Sequence, residues 1–169
     1  MAACLPAGTE RVLDLGSGGG VPGLVLAVDQ PALRLVLVDS AVRRCRFLRE
    51  ATDEVGAGDR VEVVEERAET AARHPTLRGA FDVVVARLFG SPGVTAECAV
   101  GFLRLGGSLI VSEPPEEAER WPPEPLADLG LAPATPCGAG EFGFVRLEKI
   151  RMDDRWPRRV GIPAKRPCF

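Results

Sequence analysis

Short apolar runs separated by polar, glycine-rich or proline-rich stretches recur along the first two thirds of the chain. Their spacing is that of alternating strands and helices. The first run, Val12-Leu13-Asp14-Leu15, reads as a buried strand that passes directly into a glycine-rich turn. Residues 33–38 (Leu-Arg-Leu-Val-Leu-Val) predict a second strand, closed by Asp39. Residues 41–54 then place Val42, Cys45, Phe47 and Leu48 as apolar positions and Arg43, Arg44, Arg46 and Arg49 outward, a helix pattern. Residues 61–64 form a third strand after the Gly56–Asp59 turn, and Arg67-Ala68-Glu69 follows at its carboxyl end. Residues 81–86 (Phe-Asp-Val-Val-Val-Ala) predict a fourth strand, preceded by a helix ending near His74-Pro75. Residues 94–103 read as a helix stopped by Gly106-Gly107, and 108–111 as a fifth strand that Pro114-Pro115 must break. The proline-rich stretch 121–136 predicts an irregular connection with one short helix near 126–129, and 142–150 returns as an antiparallel edge strand. The expected architecture is α/β: a doubly wound, mostly parallel sheet with an antiparallel edge strand.

Composition narrows this only modestly. A chain of 169 residues with 46% hydrophobic and 27% charged residues suits one soluble globular domain. Residues 1–150 are expected to form a ligand-binding domain, with 151–169 a basic tail of the same domain. No apolar run reaches membrane-span length and no signal-like segment opens the chain, so a cytoplasmic location and no membrane partner are expected. The five cysteines are scattered without a Cys-x-x-Cys, and with a single histidine they assemble no zinc site, so reduced thiols and no metal are expected. Charge does change the picture. Residues 151–169 carry six cations against Asp153 and Asp154, a net +4, which leaves residues 1–150 at −7 within an overall −3. A basic end on an acidic body suggests contact with a polyanion. A solubilising terminus is the plainer alternative.

Chemistry concentrates in Val-Leu-Asp-Leu-Gly-Ser-Gly-Gly-Gly-Val-Pro-Gly (12–23), with five glycines in eight positions. Glycine lets backbone approach a ligand closely, and the following helix turns its amide dipoles toward that ligand. A carboxylate at Asp14 beside that positive end repels phosphate and attracts ammonium or hydroxyl donors. The pair favours S-adenosylmethionine, which has an ammonium and a sulfonium and no phosphate. Two frames compete. Asp14-x-Gly16-x-Gly18-x-Gly20 is the pattern of Rossmann-like methyltransferases, whereas Gly18-x-Gly20-x-x-Gly23 satisfies a dinucleotide pattern. A purely structural glycine turn is a third possibility.

Asp39 stands where Rossmann-like folds place an acid on ribose hydroxyls, although it or Ser40 could equally cap a helix. Glu69 is either a cofactor contact or a solvated helix acid, and His74 reads as a surface residue. No histidine pairs with serine or cysteine for nucleophilic catalysis. The stretch 82–89 lacks the Asn/Asp-Pro-Pro-aromatic motif of exocyclic-amine methylation, and no Pro-Cys pair serves cytosine C5. A substrate atom with a free lone pair fits this inventory. Guanine N7 is such an atom, needing alignment and no general base.

With these residues in view, the chain resembles the RsmG/GidB family of bacterial 16S rRNA guanine-N7 methyltransferases. The resemblance is carried by residues 13–23, by Val38-Asp39-Ser40 with Arg43-Arg44 and Phe47-Leu48, and by Arg67-Ala68-Glu69. It continues through Phe81-Asp82 with Ala86-Arg87 and the closing run 155–167 (Arg-Trp-Pro-Arg-Arg-Val-Gly-Ile-Pro-Ala-Lys-Arg-Pro). It implies a Rossmann-like class I methyltransferase fold and S-adenosylmethionine as cofactor. Gly16, Ser17, Gly18 and Gly20, with Asp14, would hold the methionine end. Asp39 and Ser40 would hold the ribose, and Ala68 and Glu69 the adenine. Arg87 would be the catalytic residue beside the reaction centre, and the Arg158-Arg159 and Lys165-Arg166 pairs would meet RNA phosphates or close over the cofactor edge. The implied partner is 16S rRNA or the 30S subunit. Family members carry a helical segment before the glycine turn, whereas Met1 here stands shortly before it. A protein partner in place of those helices is therefore expected. The alternative readings are a cofactor-binding paralogue, inactive alone, and a methyltransferase of a small substrate. After the fifth strand, where the family has a lysine-glycine pair, this chain has Val111-Ser112-Glu113-Pro114-Pro115.

Overall fold

The computed structural model describes residues 1–113, 120–138 and 143–169. The strands are β1 (Arg11–Leu15), β2 (Arg34–Asp39), β3 (Val61–Glu65), β4 (Phe81–Ala86), β5 (Leu103–Glu113), β6 (Thr135–Cys137) and β7 (Gly143–Glu148). Among them run the helices α1 (Gly23–Asp29), α2 (Val42–Glu54), α3 (Ala68–Ala71), α4 (Pro92–Val100) and α5 (Pro123–Leu129), and α6 (Ile162–Lys165) lies near the end of the chain. They build one seven-stranded sheet in the order β3-β2-β1-β4-β5-β7-β6. β1 pairs in parallel with β2 and β4, and β7 runs antiparallel to β5 and β6. The strand order reverses between β1 and β4, which opens a crevice at their carboxyl ends.

Successive strand residues point to opposite faces, so each inner strand feeds two cores. Val12, Leu35, Leu37, Val83, Val85 and Ile110 pack with Leu26 and Ala27 of α1 and Leu48 of α2. Leu13, Leu15, Val36, Val38, Val84 and Ala86 face the other way, toward Ala71, Ala96, Ala99, Leu126 and Trp156. Burial on both faces explains why these strands read as nearly continuous apolar runs.

Several local expectations change. In α2 the buried stripe is Cys45, Leu48 and Thr52, and Val42 and Phe47 are exposed because they lie off that stripe. The helix before β4 is the single turn of α3 and does not reach His74. α4 ends at Val100, and Gly106-Gly107 falls inside β5, where the register with β4 slips between Phe81 and Val83. Glycine is required there: a Cβ on Gly107 would stand 2.9 Å from the Phe81 carbonyl oxygen. β7 is an inner strand. The edge is β6, drawn from the proline-rich stretch, and an edge strand tolerates Pro136. The break expected at Pro114-Pro115 and the strand start expected at Phe142 lie outside the described residues. Among the described residues no helix is long and apolar enough to cross a membrane.

Candidate functional site

The glycine turn leaves β1 and folds back on β2, where the amides of Gly16 and Ser17 donate to the Val38 carbonyl at 2.9 and 3.0 Å. Gly16 has φ +72, and a Cβ there would stand 2.5 Å from the Phe89 ring, so both conformation and packing demand glycine. Gly18 and Gly19 differ: positions for their Cβ atoms are nearly empty, with only the Gly16 oxygen at 3.8 Å from that of Gly18. That open space belongs to a cavity of about 590 Å³. The cavity wall is formed by the turn, by Asp39, Ser40 and Arg44, by residues 66–69, by Arg87, Leu88 and Phe89, and by Val94, Cys98 and Ala164.

Asp14, expected to touch the cofactor, lies beneath the turn and is not among the residues that line the cavity. Its Oδ2 accepts from the Gly23 amide at 2.9 Å, the first residue of α1. Burial pushes its carboxyl up to about 7 against this hydrogen bond. Gly20, likewise expected to touch cofactor, is also absent from the wall and turns the chain into α1 with its amide on the Ser17 carbonyl at 2.7 Å. Ser17 lines the cavity while its hydroxyl donates to the Asp14 carbonyl at 3.0 Å.

These contacts favour one of the two glycine frames. The leading amide of α1 is already taken by a carboxylate, and the Gly18 amide points to Asp39 Oδ2 at 3.0 Å, so neither is offered to a pyrophosphate. An open glycine cradle beside a carboxylate fits S-adenosylmethionine.

Asp39 is nearly saturated. It accepts from Gly18 N–H, from Ala41 N–H at 2.9 Å and from Arg44 Nε at 2.9 and 3.0 Å. Burial alone would raise its pKa, but the Arg44 bonds and then the two amides outweigh burial and hold the carboxyl below its ordinary value. Arg44 was expected only on the outward side of α2; its side chain remains 56% exposed while reaching the acid.

Across the cavity, Ala68 and Glu69 begin α3 at the carboxyl end of β3. Glu69 is buried, and its Oε1 accepts the Gly161 amide at 2.8 Å. Glu97, on α4, is fully buried and accepts from Arg158 three times: from N at 2.9 Å, Nε at 2.8 Å and Nη2 at 2.6 Å. Burial would raise the Glu97 pKa, and the Arg158 bonds reverse this and lower it. The Cys168 thiol also donates to Glu97 at 3.2 Å, and burial first raises that thiol to about 11. Arg158, expected to meet RNA, is the counter-ion of buried Glu97 in this structure, with its side chain 32% exposed.

Arg87 and Leu88 follow β4. Leu88 is 89% exposed with φ +55, a backbone state unusual for a branched side chain and typical of functional loops. The side chains of Arg87, Arg159, Lys165 and Arg166 make no hydrogen bond or ion pair with other described residues, and among these four only Arg87 lines the cavity. Glu113, where the resembled family has a lysine-glycine pair, pairs with Arg120 at 2.9 Å.

The glycine turn, Asp39, Ser40, Ala68, Glu69 and Arg87 thus meet at one cavity. Sequence reasoning missed Val94, Cys98 and Ala164 in its wall. A signal existed for Ala164, which lies inside the closing basic run; none existed for the two α4 residues, which read as ordinary core.

Comparison with known proteins gives a consistent picture. The family described as rRNA small subunit methyltransferase G matches residues 1–119. The ribosomal RNA small subunit methyltransferase G of Prochlorococcus marinus (strain NATL1A) is 34% identical over 171 residues, covering 96% of this chain and 69% of that protein. Its counterpart from Rubrobacter xylanophilus is 37% identical over 169 residues, covering 93% of this chain and 64% of that protein. Among solved structures, the S-adenosylmethionine-dependent methyltransferase SibL has a TM-score of 0.66 at 18% identity, covering 89% of this chain and 54% of that one. An O-methyltransferase family protein from Burkholderia thailandensis has a TM-score of 0.64 at 19% identity, covering 87% and 53%. This chain thus spans about two thirds of those curated relatives and about half of those solved chains. The solved structures share its Rossmann-like methyltransferase fold.

Proposed function

The chain belongs to the rRNA small subunit methyltransferase G family, and on that premise we propose that it transfers a methyl group from S-adenosylmethionine to guanine N7 of 16S rRNA, in the cytoplasm, with the 30S subunit as the assembled form of its substrate. The observation that carries this reading is the cavity at the β1–β4 crevice. It joins a glycine cradle and a ribose-type acid to an exposed lip, and no histidine lines it.

The bound cofactor supplies an electrophilic methyl on its sulfonium. The chain's own residues bind and align. Gly16, Ser17 and Gly18 hold the amino-acid end, while Gly20 and Asp14 shape the turn from behind. Asp39 and Ser40 receive the ribose, with Arg44 swinging off the carboxylate as the hydroxyls arrive. Ala68 and Glu69 border the adenine. Arg87 and Leu88 stand at the mouth, where the target base must enter. N7 carries no proton in its reactive form, so alignment is the main demand, and good alignment is worth up to about 7–11 kcal/mol of barrier. Arg159, Lys165 and Arg166 meet RNA phosphates.

Incubation with 30S particles or a 16S rRNA transcript and labelled S-adenosylmethionine should yield 7-methylguanosine at one mapped position. Cofactor binding without any transfer of label would overturn the assignment.

A further inference from the structure

The closing basic segment is also part of the cofactor cavity. Among the contacts that hold it to the body, four lead toward the cavity. Arg73 donates to the Pro157 carbonyl, and Arg78 to that of Trp156 at 3.1 Å. Glu97 takes Arg158, and Glu69 takes the Gly161 amide at 2.8 Å. Immediately beyond this last tie, one helical turn, α6, buries Pro163, sets Ala164 into the cavity wall and exposes Lys165. A single turn of helix has little stability of its own, so its order depends on its contacts: it packs on α4, and Arg158 Nη2 donates to the Arg166 carbonyl just beyond it at 2.7 Å. On one side it touches the cofactor cavity. On the other, Arg159, Lys165 and Arg166 present cations with no partner among the described residues.

We propose that α6 couples the two ligands: phosphodiester bound at Arg159, Lys165 and Arg166 tightens the cofactor site through Ala164 and the Glu69–Gly161 tie. By linkage, cofactor tightens phosphodiester binding by the same factor. Either ligand holds the turn more firmly in place, and the second then binds to a site already restrained. The inference rests on the reading of an RNA substrate only in taking a polyphosphodiester as the second ligand.

The test is calorimetry of S-adenosylhomocysteine binding with and without saturating poly(U), at fixed moderate salt, with hydrogen exchange on residues 161–166. Poly(U) should lower the S-adenosylhomocysteine Kd about fivefold or more and raise protection across α6. Glu69→Ala should bring that ratio close to one while poly(U) still binds. In Arg159→Ala/Lys165→Ala/Arg166→Ala the ratio should likewise vanish, together with poly(U) affinity. An unchanged cofactor Kd under bound poly(U), or a shift that survives the triple variant, overturns the coupling and leaves 16S rRNA methylation standing. Failure of poly(U) to bind overturns it as well. A clear shift with poly(U) alongside unlabelled 16S rRNA supports the coupling and removes the rRNA assignment instead.

Discussion

Two walls of the cavity solve the same problem in opposite ways. Each is organised by a carboxylate that an arginine holds below its ordinary pKa despite burial. On the glycine-turn wall the partners are near in sequence: Asp14 and Gly23 are nine residues apart, Asp39 and Gly18 twenty-one. On the far wall Glu97 meets Arg158 across 61 residues, and Glu69 meets Gly161 across 92. The two arginines differ accordingly. Arg44 is largely in solvent and lies over an acid that a ligand can claim, whereas Arg158 neutralises a carboxylate with no exposure of its own. The near wall is a motif held in shape by its own turn. The far wall is completed, at Ala164, by the docked end of the chain.

That contrast breaks most readily at Arg158. Arg158→Ala would strand the buried Glu97 charge and release the end of the chain, so unfolding in urea should show a loss of about 3–5 kcal/mol. A loss under 1 kcal/mol would mean that the far wall does not depend on this pair.

The near wall has its own buried acid, with a different signature. The folded pKa of Asp14, about 7, lies above its ordinary 3.8. Its contribution to stability is therefore complete below pH 4 and is lost as pH rises through 7. Asp14→Asn keeps an acceptor for Gly23 and removes the titration. The variant should gain on the parent by about 3–4 kcal/mol between pH 4 and 7, read from urea midpoints across that range. A constant difference across the range would reject the burial argument.

The smallest effect should come from Arg44→Ala. Arg44 is half exposed and the Gly18 and Ala41 amides still hold the buried acid without it, so the loss of stability should stay at about 1 kcal/mol. Calorimetry should show S-adenosylhomocysteine binding slightly more tightly, because the ribose no longer competes with a guanidinium. Weaker binding would show Arg44 to be a cofactor contact and not a competitor.

Much of the near wall was legible because its signals are local. Apolar runs marked β1, β2 and β4, clustered glycines marked the turn, and an acid directly after β2 marked Asp39. Where reading failed, the cause was a contact with something distant. Gly106-Gly107 looks like a helix stop, yet it serves a register slip against β4. Phe47 looks like core, but α2 turns a different stripe to the sheet. Arg158 looks like a phosphate contact until Glu97, hidden in an apolar helix, claims it.

The amino-acid order by itself determined the alternation of elements, the Rossmann-like sheet, the glycine cradle and the family. The first three follow from periodicity or from residues close together in the chain, and the family from short motifs spaced along nearly all of it. Tertiary structure alone decided that Arg44 covers Asp39, that Glu97 absorbs Arg158, and that Glu69 ties α6 into the cavity. Those pairings join residues whose proximity is created by the sheet, and charge pairing across such distances leaves no periodic trace along the chain.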